Sequence, residues 1–217
     1  MNQQTQAVTF QGAAGDIEAL RDSAATPRGV AVIAHPHPLY AGTMDNKVVQ
    51  TVARACVQCG YTAVRFNFRG VGASAGTYDE GISELQDLLA VVQQAAPQGP
   101  LVLAGFSFGA YVTSHALRAL WDQRDIHAAV LVGAATSRFD VAPVPPQAHA
   151  RTLVLHGETD DTVPLTSVLD WARPQSLPVM VVPGVAHFFH GQLPLLKGLV
   201  VRHLRGVPPD AAQDLPP

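Results

Sequence analysis

The chain has 217 residues, of which 47% are hydrophobic and only 14% charged, with a formal net charge of −3. A chain of this size suits one core, and its apolar content excludes disorder over the body of the sequence, which would need low hydrophobicity and high charge. No basic face is available for nucleic acid, and the longest apolar runs, such as 128–135, fall far short of the roughly 18 residues that a membrane-spanning helix needs.

In chain order, residues 1–10 show neither a basic leader nor an apolar stretch, so no secretory signal is expected. Two cysteines make no disulfide framework, which fits a reducing cytoplasm. Residues 5–10 and 17–21, with Gly12 and Gly15 between them, predict a hairpin at a sheet edge. Runs rich in Val, Ile and Leu follow at 29–35, 62–66, 101–106, 128–133, 151–156 and 178–183. Continuous apolar runs of this length read as strands buried on both faces. Helical spacing lies between them: Met44, Val48, Val52, Cys56 and Cys59; Ile82, Leu85, Leu89, Val92 and Ala96; and Leu195, Leu196, Leu199, Val200, His203 and Leu204; residues 110–120 are compatible with a helix.

The alternation predicts an α/β fold, a doubly wound and mostly parallel sheet of about seven or eight strands with helices on both faces. Residues 134–150 form the one long irregular stretch, where Pro143, Pro145 and Pro146 argue against a helix or a central strand. No repeat and no long linker divides the chain. Residues 1–205 read as a single domain and 206–217 as a proline-rich tail, disordered or loosely docked. Ligands in such sheets bind at the carboxyl ends of the strands, so the loops there are where chemistry is sought.

Gly105-Phe106-Ser107-Phe108-Gly109 lies between a predicted strand and a predicted helix. A serine at a tight strand-to-helix turn needs small neighbours, and the following helix aims its N-terminal N–H groups at it. Ser107 is therefore the candidate nucleophile, and the N–H of Phe108 a candidate oxyanion donor. A serine needs a base and the base an orienting acid, in the chain order Ser, Asp or Glu, His for this elbow. After the run 151–156, Glu158, Asp160 and Asp161 compete for the acid, with Asp140 an outlying candidate. His187 is the first histidine past the run 178–183 and the preferred base, with His190 in reserve.

Four segments together resemble the α/β-hydrolase superfamily, and more narrowly the small lidless bacterial serine hydrolases related to dienelactone hydrolases. They are His35 to Lys47 (HPHPLYAGTMDNK), Phe66 to Ser74 (FNFRGVGAS), the GFSFG elbow, and HGETDDTVP with GVAHFF. The resemblance covers residue 29 to about residue 204. It implies the fold without a cap domain, the nucleophile at Ser107, the base at His187 and the acid at Asp160, with Asp161 beside it. It places a second oxyanion donor at the N–H of His37, with Leu39 as the alternative, since Pro36 and Pro38 have no N–H. Here the family's H-G-x is His35-Pro36-His37. Arg69 is read as structural, and Asn67 stands where many relatives have Asp.

The implied activity is that of a serine carboxylesterase cleaving short to medium acyl or aromatic esters through an acyl-enzyme. A thioesterase on the same residues, or a non-catalytic binding or scaffold protein of this fold, is the alternative. The loops place Leu39, Tyr40, Phe108, Phe188 and Phe189 where they would line the site, which reads as an aromatic, uncharged rim for a small ester substrate. No metal and no cofactor are expected: His35 and His37 suggest a metal pair by composition but have no third ligand cluster. Cys56-Val57-Gln58-Cys59 falls late on an apolar helical stripe and reads as core packing rather than a redox pair. Neither nucleic acid nor membrane is an expected partner, and both monomer and homodimer suit the sequence.

Overall fold

The computed structural model describes residues 5–207. The expected hairpin is present and longer than its apolar residues suggest: β1 (Thr5–Gly12) and β2 (Gly15–Asp22) pair antiparallel around a two-residue turn at Ala13-Ala14. The six apolar runs form β3 (Gly29–Ala34), β4 (Tyr61–Phe66), β5 (Leu101–Phe106), β6 (Ile126–Val132), β7 (Thr152–Gly157) and β8 (Val179–Val182). All eight strands make one sheet in the order β1-β2-β4-β3-β5-β6-β7-β8. Strands β3 to β8 run parallel, and β2 joins β4 antiparallel. The α/β fold with a mostly parallel sheet is thus observed.

Five helices connect and cover the strands: α1 (Lys47–Gln58), α2 (Ile82–Ala95), α3 (Phe108–Leu120), α4 (Leu165–Ala172) and α5 (Leu193–Gly206). Side chains of a strand alternate between its faces, and here the alternation divides the core in two. Ala31 and Ile33 of β3, Val102, Ala104 and Phe106 of β5, and Ala128 and Val130 of β6 pack with α1 and α5. Val32 and Ala34, Leu101 and Leu103, and Ala129 and Leu131 pack with α2, α3 and α4 on the other face. Both faces being covered is why these strands read as unbroken apolar runs rather than alternating ones.

Several boundaries differ from expectation. Met44 precedes α1, because Asn46 caps that helix by accepting the Val48 N–H at 2.9 Å. Cys59 closes it, with Cys56 fully buried and both thiols free. The prolines do not bar every helix from 134–150: a 3₁₀ helix runs Pro146–Arg151, with Pro146 in its first turn, where no N–H is required. Helix α4, only eight residues long, has too few turns to show a period. Of the stretch read for a secretory signal, residues 1–4 lie outside the described residues, as do residues 208–217 of the proline-rich tail; Gly206 belongs to α5. Among the described residues no helix is long and apolar enough to cross a membrane.

Candidate active site

Strand β5 ends at Phe106 and α3 begins at Phe108, so Ser107 alone makes the turn. Its φ of +57° and ψ of −116° are sparsely populated for a residue with a Cβ and cost about 1–3 kcal/mol, a strain the surroundings must hold in place. The Ser107 N–H donates to Val132 O at 2.9 Å, and its carbonyl accepts from Ala110 N at 3.0 Å. Glycine is required on both sides. A Cβ on Gly105 would collide with the Gly109 carbonyl, and one on Gly109 with the carbonyls of Ala34 and His35. The Phe108 N–H, in the first turn of α3, has no acceptor within its helix and lies at the positive end of the helix dipole.

Asp160 follows β7, and His187 lies in the loop after β8. Asp160 Oδ1 accepts the N–H groups of Thr162 at 3.0 Å and Val163 at 2.7 Å. Asp160 Oδ2 is 2.6 Å from His187 Nδ1. A carboxylate in this position can only accept, so Nδ1 carries the proton and Nε2 is left as the basic atom. Burial pushes the Asp160 carboxyl up, but the His187 hydrogen bond, the Val163 N–H and the charges of His187 and His156 outweigh it, and the net direction is down. The His187 ring packs on Phe106 with centroids 4.8 Å apart. Gly133, at φ +53°, leaves room for it, since a Cβ there would stand 3.1 Å from His187 Cε1.

The competing acids are engaged elsewhere or turned to solvent. Glu158 is exposed and accepts the Gly184 N–H at 2.8 Å, bracing the loop that carries His187. Asp161 and Asp140 are exposed. His190 is exposed too, its ring stacked on Phe188 at 5.8 Å.

The loop after β3 is fixed by a fully buried imidazole. His35 Nδ1–H donates to Pro36 O at 2.6 Å, and Nε2 accepts the Phe68 N–H at 3.0 Å. Those two partners dictate the neutral tautomer. Burial pushes the pKa of His35 down to about 4, with the Pro36 bond opposing and His37 adding to the fall. His37 Nδ1 accepts the Leu39 N–H at 3.2 Å, which leaves Nε2–H for Tyr78 Oη at 3.1 Å. The Leu39 N–H is therefore already taken, which favours the His37 N–H as the donor from this loop.

Ser107, His187, Phe108, His37, Tyr40 and Phe188 line one cavity of about 290 Å³ at the carboxyl end of the sheet. Leu39, expected to line the site, is exposed and is not among the residues that line this cavity. Phe189 does not face it: the side chain is fully buried and packs in the core under α5. Burying a phenyl ring is worth about 2–3 kcal/mol, and the backbone turns it inward at φ +52°. The expectation of an uncharged rim also fails, because Arg138 lines the same cavity, together with Phe139 and Thr162. Arg138 lies in the proline-rich stretch, which carries no periodic signal. His156, fully buried with Nε2 donating to Val163 O at 2.9 Å and 3.5 Å from Asp160 Oδ2, was visible only as the residue before Gly157. A larger cleft of about 600 Å³ lies by the hairpin, around Arg54, Arg65 and Lys197. Its buried cation Arg65 is neutralised by Asp22 and Asp45.

Comparison with known proteins gives consistent matches. A family model described as serine aminopeptidase, S33, matches residues 25–153. An uncharacterized protein of Rickettsia prowazekii is 33% identical over 201 residues, covering 84% of this chain and 81% of that protein. A Xanthomonas campestris structure, described as a member of a/b serine hydrolase without lid, is similar with a TM-score of 0.83 and 35% identity over 94% of this chain and 95% of that chain. The human mitochondrial palmitoyl-protein thioesterase ABHD10 is 29% identical over 115 residues, 49% of this chain and 36% of that protein.

Proposed function

The chain belongs to the α/β-hydrolase superfamily of serine hydrolases, and on that premise we propose that it hydrolyses small carboxylic esters with Ser107 as nucleophile, His187 as base and Asp160 as orienting acid. The observation that carries this reading is the 2.6 Å contact of Asp160 Oδ2 with Nδ1 of His187, a residue that lines the same cavity as Ser107. It leaves His187 Nε2 free to take a proton.

In the first half-reaction Ser107 Oγ attacks the ester carbonyl and its proton passes to His187 Nε2. The carbonyl oxygen becomes an oxyanion, met by the N–H groups of Phe108 and His37. The bond to the alcohol oxygen then breaks, and His187 returns the proton to it. In the second half, water attacks the acyl-serine while His187 takes its proton, and Ser107 leaves with that proton restored. Asp160 stabilises the imidazolium in both halves and keeps its own charge. Such donors contribute about 10²–10³ in kcat each in comparable sites.

A thioesterase reaction would use the same atoms, and the partial likeness to a palmitoyl-protein thioesterase favours testing it. The cavity of about 290 Å³ favours a short acyl group over a long one. The scaffold reading has no support in a missing residue, since Ser107 and His187 line one cavity and His187 meets Asp160. The test is turnover of p-nitrophenyl acetate and butyrate, with acetyl-CoA and butyryl-CoA alongside, combined with fluorophosphonate labelling located by mass spectrometry. Label on Ser107 and cleavage of a short ester are expected. Silence in every assay would overturn the enzyme reading.

A further inference from the structure

Arg138 lies on the loop that leaves β6, exposed, with its side chain lining the cavity that holds Ser107 and His187. It is the one permanently charged side chain among the lining residues, none of which is Asp or Glu. Among the described residues, no carboxylate comes within 4.0 Å of its guanidinium. Asn46, the cap of the twelve-residue helix α1, lines the same cavity as a neutral polar residue whose Oδ1 already accepts the Val48 N–H. The remaining walls are largely aromatic: Tyr40, Phe108, Phe139 and Phe188.

These features define a complementary ligand. The volume calls for a small molecule, the rings for a flat or short apolar body, and the guanidinium for an anion at one end. A guanidinium presents a planar fork that matches the two oxygens of a carboxylate. We propose that the cavity selects small esters bearing a carboxylate, held by Arg138 while Ser107 attacks the ester carbonyl. The proposal rests on the ester-hydrolase reading above and names the substrate class of that site.

The test compares pairs of esters that differ by one added carboxylate, with Arg138→Gln as the control for the accompanying change in size and leaving group. For a carboxylate on the acyl side the pair is mono-p-nitrophenyl glutarate and p-nitrophenyl butyrate. For the alcohol side it is 4-carboxyphenyl butyrate and phenyl butyrate. In one pair the charged member should have a kcat/KM about 10-fold higher, expressed in KM, and the ratio should shrink as salt rises from about 50 to about 500 mM. Arg138→Gln should bring the ratio to about one, and Arg138→Lys should restore part of it. A ratio near one in both pairs, or a ratio that survives Arg138→Gln, overturns the proposal; turnover of the neutral esters would show that the hydrolase reading still stands. If no ester is cleaved, the hydrolase reading fails, and calorimetry on two uncleaved amides decides about Arg138. Tighter binding of glutaranilic acid than of butyranilide, lost in Arg138→Gln, supports the anion site, and equal or absent binding overturns it.

Discussion

Asp160 meets His187 Nδ1 with one carboxylate oxygen and the backbone N–H groups of Thr162 and Val163 with the other. Every lone-pair direction that matters is assigned, so the acid has little freedom to turn. An amide in its place would have to point its NH₂ either at His187 Nδ1 or at two N–H donors. Asp160→Asn should therefore lower kcat by about 10³–10⁴-fold through the wrong imidazole tautomer, with a near-native circular dichroism spectrum. The carboxyl is held below its ordinary 3.8, so its share of stability is present above that value and is lost as pH falls through the lower native one. Urea unfolding from about pH 7 to about pH 3 should show a shallower acid loss in Asp160→Asn than in the parent.

Strain at Ser107 separates activity from stability. Ser107→Ala keeps the unfavourable φ of +57° and should abolish ester turnover and fluorophosphonate labelling without changing the unfolding free energy by more than about 0.5 kcal/mol. Ser107→Gly removes the strain and should be inactive but more stable than Ser107→Ala by about 1 kcal/mol, after the entropy cost of glycine. Equal stabilities for the two variants would show that the turn stores no strain.

The two glycines of the elbow admit no side chain. Gly109 lies against the carbonyls of Ala34, the last residue of the central strand β3, and His35, the first residue after it, and backbone atoms there cannot give way. Gly109→Ala must push α3 away from the sheet, and we expect a loss of at least about 3 kcal/mol or no soluble protein. Expression yield and urea denaturation provide the measure.

His35 makes an acid-sensitive joint between the loops after β3 and β4. The unfolded imidazole titrates near 6.5, whereas burial holds the native one at about 4. The native state thus binds fewer protons across that window. Stability is complete above about pH 6.5 and declines toward pH 4, by up to about 3 kcal/mol from this group. Burial acts in the same direction on His127, His156 and His203. His35→Ala strands the Phe68 N–H and should cost about 2–3 kcal/mol at pH 7.5, with the difference from the parent narrowing at pH 5. A constant difference across that range would mean that His35 is not held neutral.

The sheet is legible in the sequence because both of its faces are covered. Val30 to Ala34 and Leu101 to Phe106 leave no polar residue to break the run. Ser107 is legible because a sharp turn demands Gly105 and Gly109. Singling out Asp160 from Glu158 and Asp161 takes either the family resemblance or the coordinates, since all three follow one strand within four positions. Adjacent Phe188 and Phe189 are the same residue type and have opposite fates: Phe188 is exposed, whereas Phe189, at a left-handed φ of +52°, is buried in the core. Arg138 leaves no trace in any period or motif, because its position depends on how a proline-rich loop crosses the strand ends.

Strand β8 has four residues, pairs only with β7, and has just Val182 buried. The loop bearing His187 hangs from that outermost rung, whereas Ser107 is anchored mid-sheet. Mild heating should therefore unzip the margin first, so that turnover disappears while the bulk of the circular dichroism signal persists. Inactivation and global melting would then be separate events on a temperature scale, with the His187 loop departing before the scaffold around Ser107 yields.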